Sequence, residues 1–443
     1  MVEMPVSPME HALETQRIGA LQLRVALLCA LVQAFDGYDI GAIGMATPAL
    51  IHAWGVPPAA FGEAFVMSSV GILVGALLSG PLADRVGRKP LVIGSLALIG
   101  LFSLASAFAA SLPQMVLLRF FTGIGIGGAM PATVALTSDY APERYRGSFI
   151  MLMFCGNTLG GFIGGQIAAL VLPRYGWESI FLIGGGAPLL LLPVLLFALP
   201  ESPRFLLARA AASLRSQRLL ARLGIIPGTA SVTAVDLGAG NPVAGLFRDG
   251  FARRTVLLWV MFFAGLLDLY LLGYWMPAVL HLSGLSPADA AFAASMLTAG
   301  GVLSLLALGP LSQRFGAARV LTLSFLAGAF FIAAIGLLPL PYGWLLFAVF
   351  GAGAGTIGSQ LAANALCATL YPARIRSTGI GWALGIGRLG AIVGPAVGGV
   401  LLALGWPPTQ IFLCACLGAI VAAFATVLVG MGAPVARRAL QQS

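Results

Sequence analysis

Asp36 and Asp39 stand three residues apart in the stretch Phe35-Asp36-Gly37-Tyr38-Asp39, in the middle of an apolar run from Val25 to Leu50. On a helix, residues at this spacing share one face. If the run crosses a bilayer, each ionised carboxylate costs roughly 2.5–3.5 kcal/mol to place at its centre, so a chain that keeps both has a use for them. Three more ionisable residues fall inside apolar runs, Arg119, Asp268 and Arg388. Arginine does not release a proton in a protein, which leaves the carboxylates as the titrating groups. Burial favours a neutral carboxyl, and an adjacent guanidinium favours the carboxylate. Protonation then depends on whether an aspartate or an incoming anion holds the arginine, which is a chemistry of exchange. With no metal cluster and no nucleophile-base set in the sequence, an embedded enzyme is disfavoured.

Composition decides what must hold these groups. Of 443 residues, 59% are hydrophobic and 9% charged, and the mean hydropathy is +0.98. A soluble protein carries about 25% charged residues, so the chain is read as a polytopic membrane protein whose lasting partner is the lipid bilayer. Twelve apolar stretches are long enough to span, near 25–50, 61–82, 90–110, 113–137, 147–172, 178–199, 255–280, 288–311, 318–338, 342–369, 377–404 and 408–431. The first is too long for the apolar core of a cleavable signal. Of the 24 Lys and Arg, all but Arg119, Arg174 and Arg388 fall in alternate connections and the two tails. By the positive-inside rule those segments, and both termini, are cytoplasmic. The net charge of +9 is thereby read as topology, and nucleic acid is excluded as a partner. The five cysteines sit in apolar runs, where free Cys packs as a small hydrophobe.

The polar segment 200–254, with Arg204, Arg209, Arg215, Arg218 and Arg222, reads as a cytoplasmic connector between two halves. It gives the divisions 1–23 tail, 24–199 first half, 200–254 linker, 255–431 second half and 432–443 tail. Repeats support the halves. Gly80-Pro81-Leu82-Ala83-Asp84-Arg85-Val86-Gly87 returns 229 residues later as Gly309-Pro310-Leu311-Ser312-Gln313-Arg314-Phe315-Gly316. Arg144 and Arg146 return as Arg374 and Arg376, Gly123 and Gly125 as Gly353 and Gly355, and Gly160 and Gly164 as Gly390 and Gly394, all 230 residues on. Asp39 pairs in this way with Asp268, and His52 with His281, at a displacement of 229. The two histidines are read as loop residues, with pH sensing as the other reading. Parallel repeats of six spans place a binding site between the halves near the midplane. The string Gly123-x-Gly125-x-x-Gly128 fits a dinucleotide fingerprint but lacks the strand that must precede it, and small residues at this spacing let membrane helices approach closely.

The run Gly80-Pro81-Leu82-Ala83-Asp84-Arg85-Val86-Gly87-Arg88-Lys89 resembles the loop 2–3 signature of the major facilitator superfamily. Arg119-x-x-x-Gly123-x-Gly125 resembles its fourth-span motif, and Pro200-Glu201-Ser202-Pro203-Arg204 the sequence that many members carry after span 6. Asp36-Gly37-Tyr38-Asp39 is similar to the first span of the aromatic acid:proton symporters. The copy in the second half departs from the loop pattern, with Gln313 for the acid and Ala317-Ala318 for the basic pair.

The resemblance implies an all-α protein of twelve transmembrane helices in two six-helix halves, a secondary transporter of the inner membrane. It implies symport of a small aromatic carboxylate with protons, as a monomer, without a cofactor and driven by the proton gradient. Proton coupling is expected at Asp36, Asp39, Arg119 and Asp268, with Arg119 shared between the first two. Arg388 is expected to hold the substrate carboxylate by a bidentate contact, with Arg119 as a second substrate contact. Phe35, Tyr38, Tyr270, Tyr274, Trp275 and Trp382 are candidate ring platforms, and Asn157, Gln166, Gln360 and Asn364 could address ring hydroxyls. Taken singly, each reads first as packing or interfacial belt. Gating is expected from Gly80, Asp84, Arg85, Gly87 and Arg88, with Asp139, Glu143, Arg144, Arg146, Arg374 and Arg376. There Asp84 would cap a neighbouring helix and pair with a basic residue of the other half, while Gly80 and Gly87 let the turn approach closely. A symporter of another organic anion or a sugar acid, and a non-transporting membrane sensor, are the other readings.

Overall fold

In hydrocarbon a spanning segment must satisfy its backbone polar groups internally, and the apolar runs do so as helices. A computed structural model describes residues 18–203, 205–206, 242–248, 250–371 and 373–431. Residues 1–17 of the first tail, the whole second tail, and the linker's run of arginines from Arg204 to Arg222 lie outside the described residues. The first half comprises α1 (Ala20–Trp54), α2 (Phe61–Val86), α3 (Arg88–Ser106), α4 (Leu112–Tyr140), α5 (Arg146–Tyr175) and α6 (Glu178–Ala198). The second comprises α7 (Ala252–Leu282), α8 (Pro287–Phe315), α9 (Ala317–Leu337), α10 (Tyr342–Leu370), α11 (Ala373–Ala403) and α12 (Pro408–Met431). Each contains a stretch long and apolar enough to cross a membrane. Several helices overrun the apolar stretch that marks them: α1 gains a turn at either end because its flanking residues continue the backbone ladder beyond the hydrocarbon.

The connections alternate between two ends of the bundle. One, the basic face, carries the α2–α3, α4–α5, α8–α9 and α10–α11 turns. The other is the opposite face. On the basic face α2 turns into α3 at Gly87 (φ 102°) and α8 into α9 at Gly316 (φ 90°), a backbone region in which a Cβ is strained.

The two halves pack by the same rule. α1 lies on α5 with the Ala30 and Ala34 backbone against Gly156 and Gly160, so close that a Cβ on either glycine would overlap a carbonyl. α7 lies on α11 in the same way, with Phe263 and Leu267 against Gly390 and Gly394. Contact at this range is what holds helices together where burial from water supplies no drive. The halves meet through α1 with α7, α2 with α11 and α5 with α8. These cross-half contacts run from mid-depth to the opposite face: Gly44 on Tyr274, Gly62 on Gly399, the Gln166 amide on Ser295 Oγ at 2.7 Å, and His52 on His281. The opposite face is therefore closed.

Candidate functional site

Asp39 points from α1 into the interior of the first half. Its Oδ2 accepts from Arg119 Nη1 of α4 at 3.1 Å and its Oδ1 from Ser103 Oγ of α3 at 2.6 Å. The second guanidinium nitrogen donates to Ser106 Oγ at 2.7 Å, and the Arg119 guanidinium carbon lies 5.0 Å from the centroid of the Phe181 ring on α6. Both side chains of this pair are essentially inaccessible, at 1% and 0%. A charge pair in low dielectric survives only with its remaining hydrogen-bonding capacity met, and Ser103, Ser106 and Phe181 meet most of it. Nothing in the sequence marks these three except two serines, three apart, in the otherwise apolar second half of α3. Arg119 is thus consumed by Asp39. It is bonded to Asp39 alone of the two aspartates and does not line the cavity described below, so the structure does not join it to Asp36 or to that cavity.

Asp36, one turn earlier, has no such company. Its side chain is buried, and Oδ1 has no hydrogen-bond partner among the described residues. The charges that act on it are those of Arg388, from the other half, and of Asp39. Arg388 projects from the middle of α11. Its Nη1 donates to Tyr270 Oη of α7 at 3.0 Å, and its Nη2 lies 3.4 Å from the Met130 sulfur of α4, across the halves. Beside this pair a cavity of about 160 Å³ lies between the halves, lined by Gly37, Ile40, Gly41 and Met45 of α1, Asn157, Thr158 and Gly161 of α5, Tyr270, Gly273 and Tyr274 of α7, Ser295 and Thr298 of α8 and Ile357 of α10. It combines aromatic and aliphatic walls with a few amide and hydroxyl groups, the usual character of a small-ligand site.

The structure disperses the remaining aromatic candidates. Tyr270 and Tyr274 line the cavity, and Tyr274 stacks on Phe65 with centroids 4.9 Å apart. Phe35 is half-buried on α1. Tyr38 points into the first half and donates to the Ile180 carbonyl at 2.8 Å. Trp275 donates to the Pro395 carbonyl at 2.9 Å and packs on Gly398, joining α7 to α11. Trp382 is 43% exposed and stacked on Trp259 toward the basic face. The structure thus places Tyr38, Trp275 and Trp382 in packing or belt positions, away from the cavity lining. Among the amides, Asn157 lines the cavity, Gln166 is spent on Ser295, Gln360 Oε1 lies against Gly265, and Asn364 is half-buried on α10.

Asp268 is buried, and neither of its carboxyl oxygens has a hydrogen-bond partner among the described residues. Its Cβ abuts Gly418 of α12, while Tyr270, two residues on, occupies the other side of α7. Where the first half has Ser103, Ser106 and Arg119, the repeat puts Ile332, Ile335 and Val349, all buried. The second half has kept the acid and lost its partners, so Asp268 is not joined to the Asp36 and Arg388 group.

On the basic face, the helix cap comes from a residue other than the one expected. Glu201 Oε1 accepts from the Arg88 and Lys89 backbone N–H groups at 2.9 and 3.1 Å, satisfying the start of α3. Tyr140 Oη donates to the Glu201 carbonyl at 2.6 Å, and Ser202 Oγ to the Asp139 carboxylate. Asp84 instead has a side chain 74% exposed and pairs with Arg88 of its own loop at 3.5 Å, so in this arrangement the α3 cap falls to Glu201. A Cβ at Gly80 would meet open space, so no close approach is made there. At Gly87 it would strike Glu201. Arg85 is exposed and Arg146 half-buried, and Arg144 lies over the Tyr145 ring. The side chains of Glu143, Arg374 and Arg376 lie outside the described residues.

Two repeated six-helix halves, with a cavity between them and an arginine and a carboxylate from opposite halves beside it, are the architecture of a membrane carrier. The chain belongs to the Major Facilitator Superfamily, whose model matches residues 29–359 and again 258–442, and it is a multi-pass transporter. It is 39% identical to the 4-hydroxybenzoate transporter PcaK of Pseudomonas aeruginosa, over 95% of each chain. It is 38% identical to the gallate transporter of Pseudomonas putida, over 94% of each. Among solved structures, a D-xylose-proton symporter superposes with a TM-score of 0.71 at 17% identity, covering 91% of this chain and 97% of that one.

Proposed function

We propose that the chain carries a small aromatic carboxylate into the cell together with protons, across the bacterial inner membrane and with the basic face cytoplasmic. The observation that carries the mechanism is that the charge of Arg388 acts across the halves on Asp36, whose Oδ1 has no hydrogen-bond partner among the described residues, while Arg388 Nη2 rests on a thioether. Sulfur is a weak acceptor, so a substrate carboxylate readily displaces Met130 and takes Arg388 in its place, while Tyr270 steadies the other nitrogen. A guanidinium neutralised by substrate no longer favours a charged Asp36, and Asp36 then holds a proton. The loaded, protonated site carries one charge fewer than it would with Asp36 still ionised and is less costly to move through the closed state. Asp39 and Arg119 position α1 against α3 and α4, and Asp268 lies off this route. Tyr270 and Tyr274 offer ring faces, and Asn157, Thr158, Ser295 and Thr298 the polar groups that ring hydroxyls need. The aromatic substrate class is supported by the transporters of 4-hydroxybenzoate and gallate that are 38–39% identical to this chain. The route lies within one chain, so a monomer suffices, and the proton gradient supplies the energy without a cofactor.

The test is uptake of radiolabelled 4-hydroxybenzoate into proteoliposomes with an imposed proton gradient. We expect saturable uptake that collapses with a protonophore. Asp36→Asn should retain exchange of substrate but lose accumulation, and Arg388→Ala should lose both. Gradient-driven accumulation that survives in Asp36→Asn refutes the coupling role. Competition by aliphatic but not aromatic acids refutes the substrate class.

A further inference from the structure

At the opposite face, away from Asp36 and Arg388, the last turns of α1 and α7 bring His52 and His281 together. Their Nε2 atoms are 2.9 Å apart, with ring planes at 81°. His281 Nδ1 lies 2.8 Å from the Leu285 carbonyl oxygen. A carbonyl only accepts, so this nitrogen carries the ring hydrogen and Nε2 of His281 presents a lone pair. The contact between the rings is then a hydrogen bond donated by His52 Nε2.

This is how metal-binding histidines are prepared: one ring nitrogen donates to a carbonyl, which fixes the ring and turns the other nitrogen toward the ion. His52 becomes a second ligand when its hydrogen sits on Nδ1, the alternative neutral tautomer. With Zn–N bonds of 2.0–2.1 Å, two ligands on a tetrahedral ion lie about 3.3 Å apart, so the rings need separate by only a few tenths of an ångström. The pair sits in an exposed setting that an ion can reach. Among the described residues no third histidine, cysteine or carboxylate joins it, and water completes the shell.

We propose that His52 and His281 form a two-histidine site for a transition-metal cation of the zinc, nickel or copper class, and that an ion held there locks the opposite face shut. Imidazole suits these ions, whereas magnesium and calcium prefer oxygen. The lock follows from where the ligands stand. One belongs to each half, and the same face is closed by Gly62 on Gly399 and Gln166 on Ser295. Opening that face must part the histidines, so an ion that binds only when they are close draws the carrier toward the closed arrangement by mass action. Transport stalls because the site no longer reaches that side.

The binding arm needs no substrate and is independent of the aromatic acid reading. Protein purified without a histidine tag is titrated with Cu²⁺ and followed by electron paramagnetic resonance. We expect one ion per chain with hyperfine structure from two imidazole nitrogens. His52→Ala and His281→Ala should each lose one nitrogen and bind about tenfold or more weakly, a difference of roughly 1.4 kcal/mol or more. Equal copper binding and spectra in the wild type and both variants overturn the site. In the transport arm, Zn²⁺ but not Mg²⁺ should inhibit uptake by the wild type, with the inhibition curve shifted by about tenfold or more in either variant. Two-nitrogen binding that leaves transport untouched overturns the lock. Unfolding temperature and uptake in metal-free buffer, expected unchanged in both variants, show that the substitutions leave the carrier intact.

Discussion

A carboxylate that already holds a guanidinium and a hydroxyl differs in what it can lose from one whose oxygen is bare, and Asp39 and Asp36 are that comparison within one turn of α1. Asp39→Asn leaves Arg119 as a buried, uncompensated charge, a situation that costs about 3–5 kcal/mol, and should visibly lower the unfolding temperature in detergent. Asp36→Asn removes no formed bond and should unfold with the wild type. Asp268→Leu replaces a buried, unpartnered acid by an apolar side chain of similar size, and should be neutral or stabilising by up to about 1–3 kcal/mol. If Asp268→Leu destabilises the protein strongly, the acid has a partner in some state of the cycle. The five intramembrane charges were legible by residue type alone, because a charge in an apolar run stands out. Their pairing was not. Ser103 and Ser106 are unremarked polar residues, and Met130 carries no charge to announce that it faces Arg388.

At the scale of the helices, the glycines divide into those that meet a neighbour and those that do not. A Cβ on Gly160 would overlap the Ala34 carbonyl, whereas one on Gly94 of α3 would meet nothing within 4 Å. Gly160→Ala should therefore lower the unfolding temperature and uptake together. Gly94→Ala should be neutral or stabilising by about 0.5–1 kcal/mol, the helix preference of alanine over glycine. Equal behaviour of the two variants would show that the α1–α5 seam is looser than its geometry. Spans, order and the two-half repeat could be read from hydropathy and from displacements of 229 and 230 residues, since those signals are local or additive. The α3 cap could not, because Asp84 is the near acid in sequence and Glu201, more than a hundred residues on, is the near acid in space. Which of the candidate rings line the cavity was hidden for a related reason: a ring's type says that it will be buried or at an interface, but helix rotation decides against what.

For the molecule as a whole, the repeat describes backbone better than chemistry. The two halves share helix order, tight turns at Gly87 and Gly316 and glycine seams, while the positions that hold Ser103, Ser106 and Arg119 in the first half are isoleucine and valine in the second. One half then carries the structural ion pair, and the other supplies Arg388. The bonds from Glu201 and Ser202 to α3 and α4 bear on where this chain can be divided. These residues follow α6, in what hydropathy assigns to the linker, yet they finish the first half by satisfying the start of α3 and holding Asp139. A gene split for co-expression as two separate polypeptides should thus tolerate a break after residue 206 and reassemble a working carrier. A break after residue 199 severs the covalent hold on that carboxylate, so the first fragment inserts with an open seam at its basic end and becomes the one the cell's proteases clear.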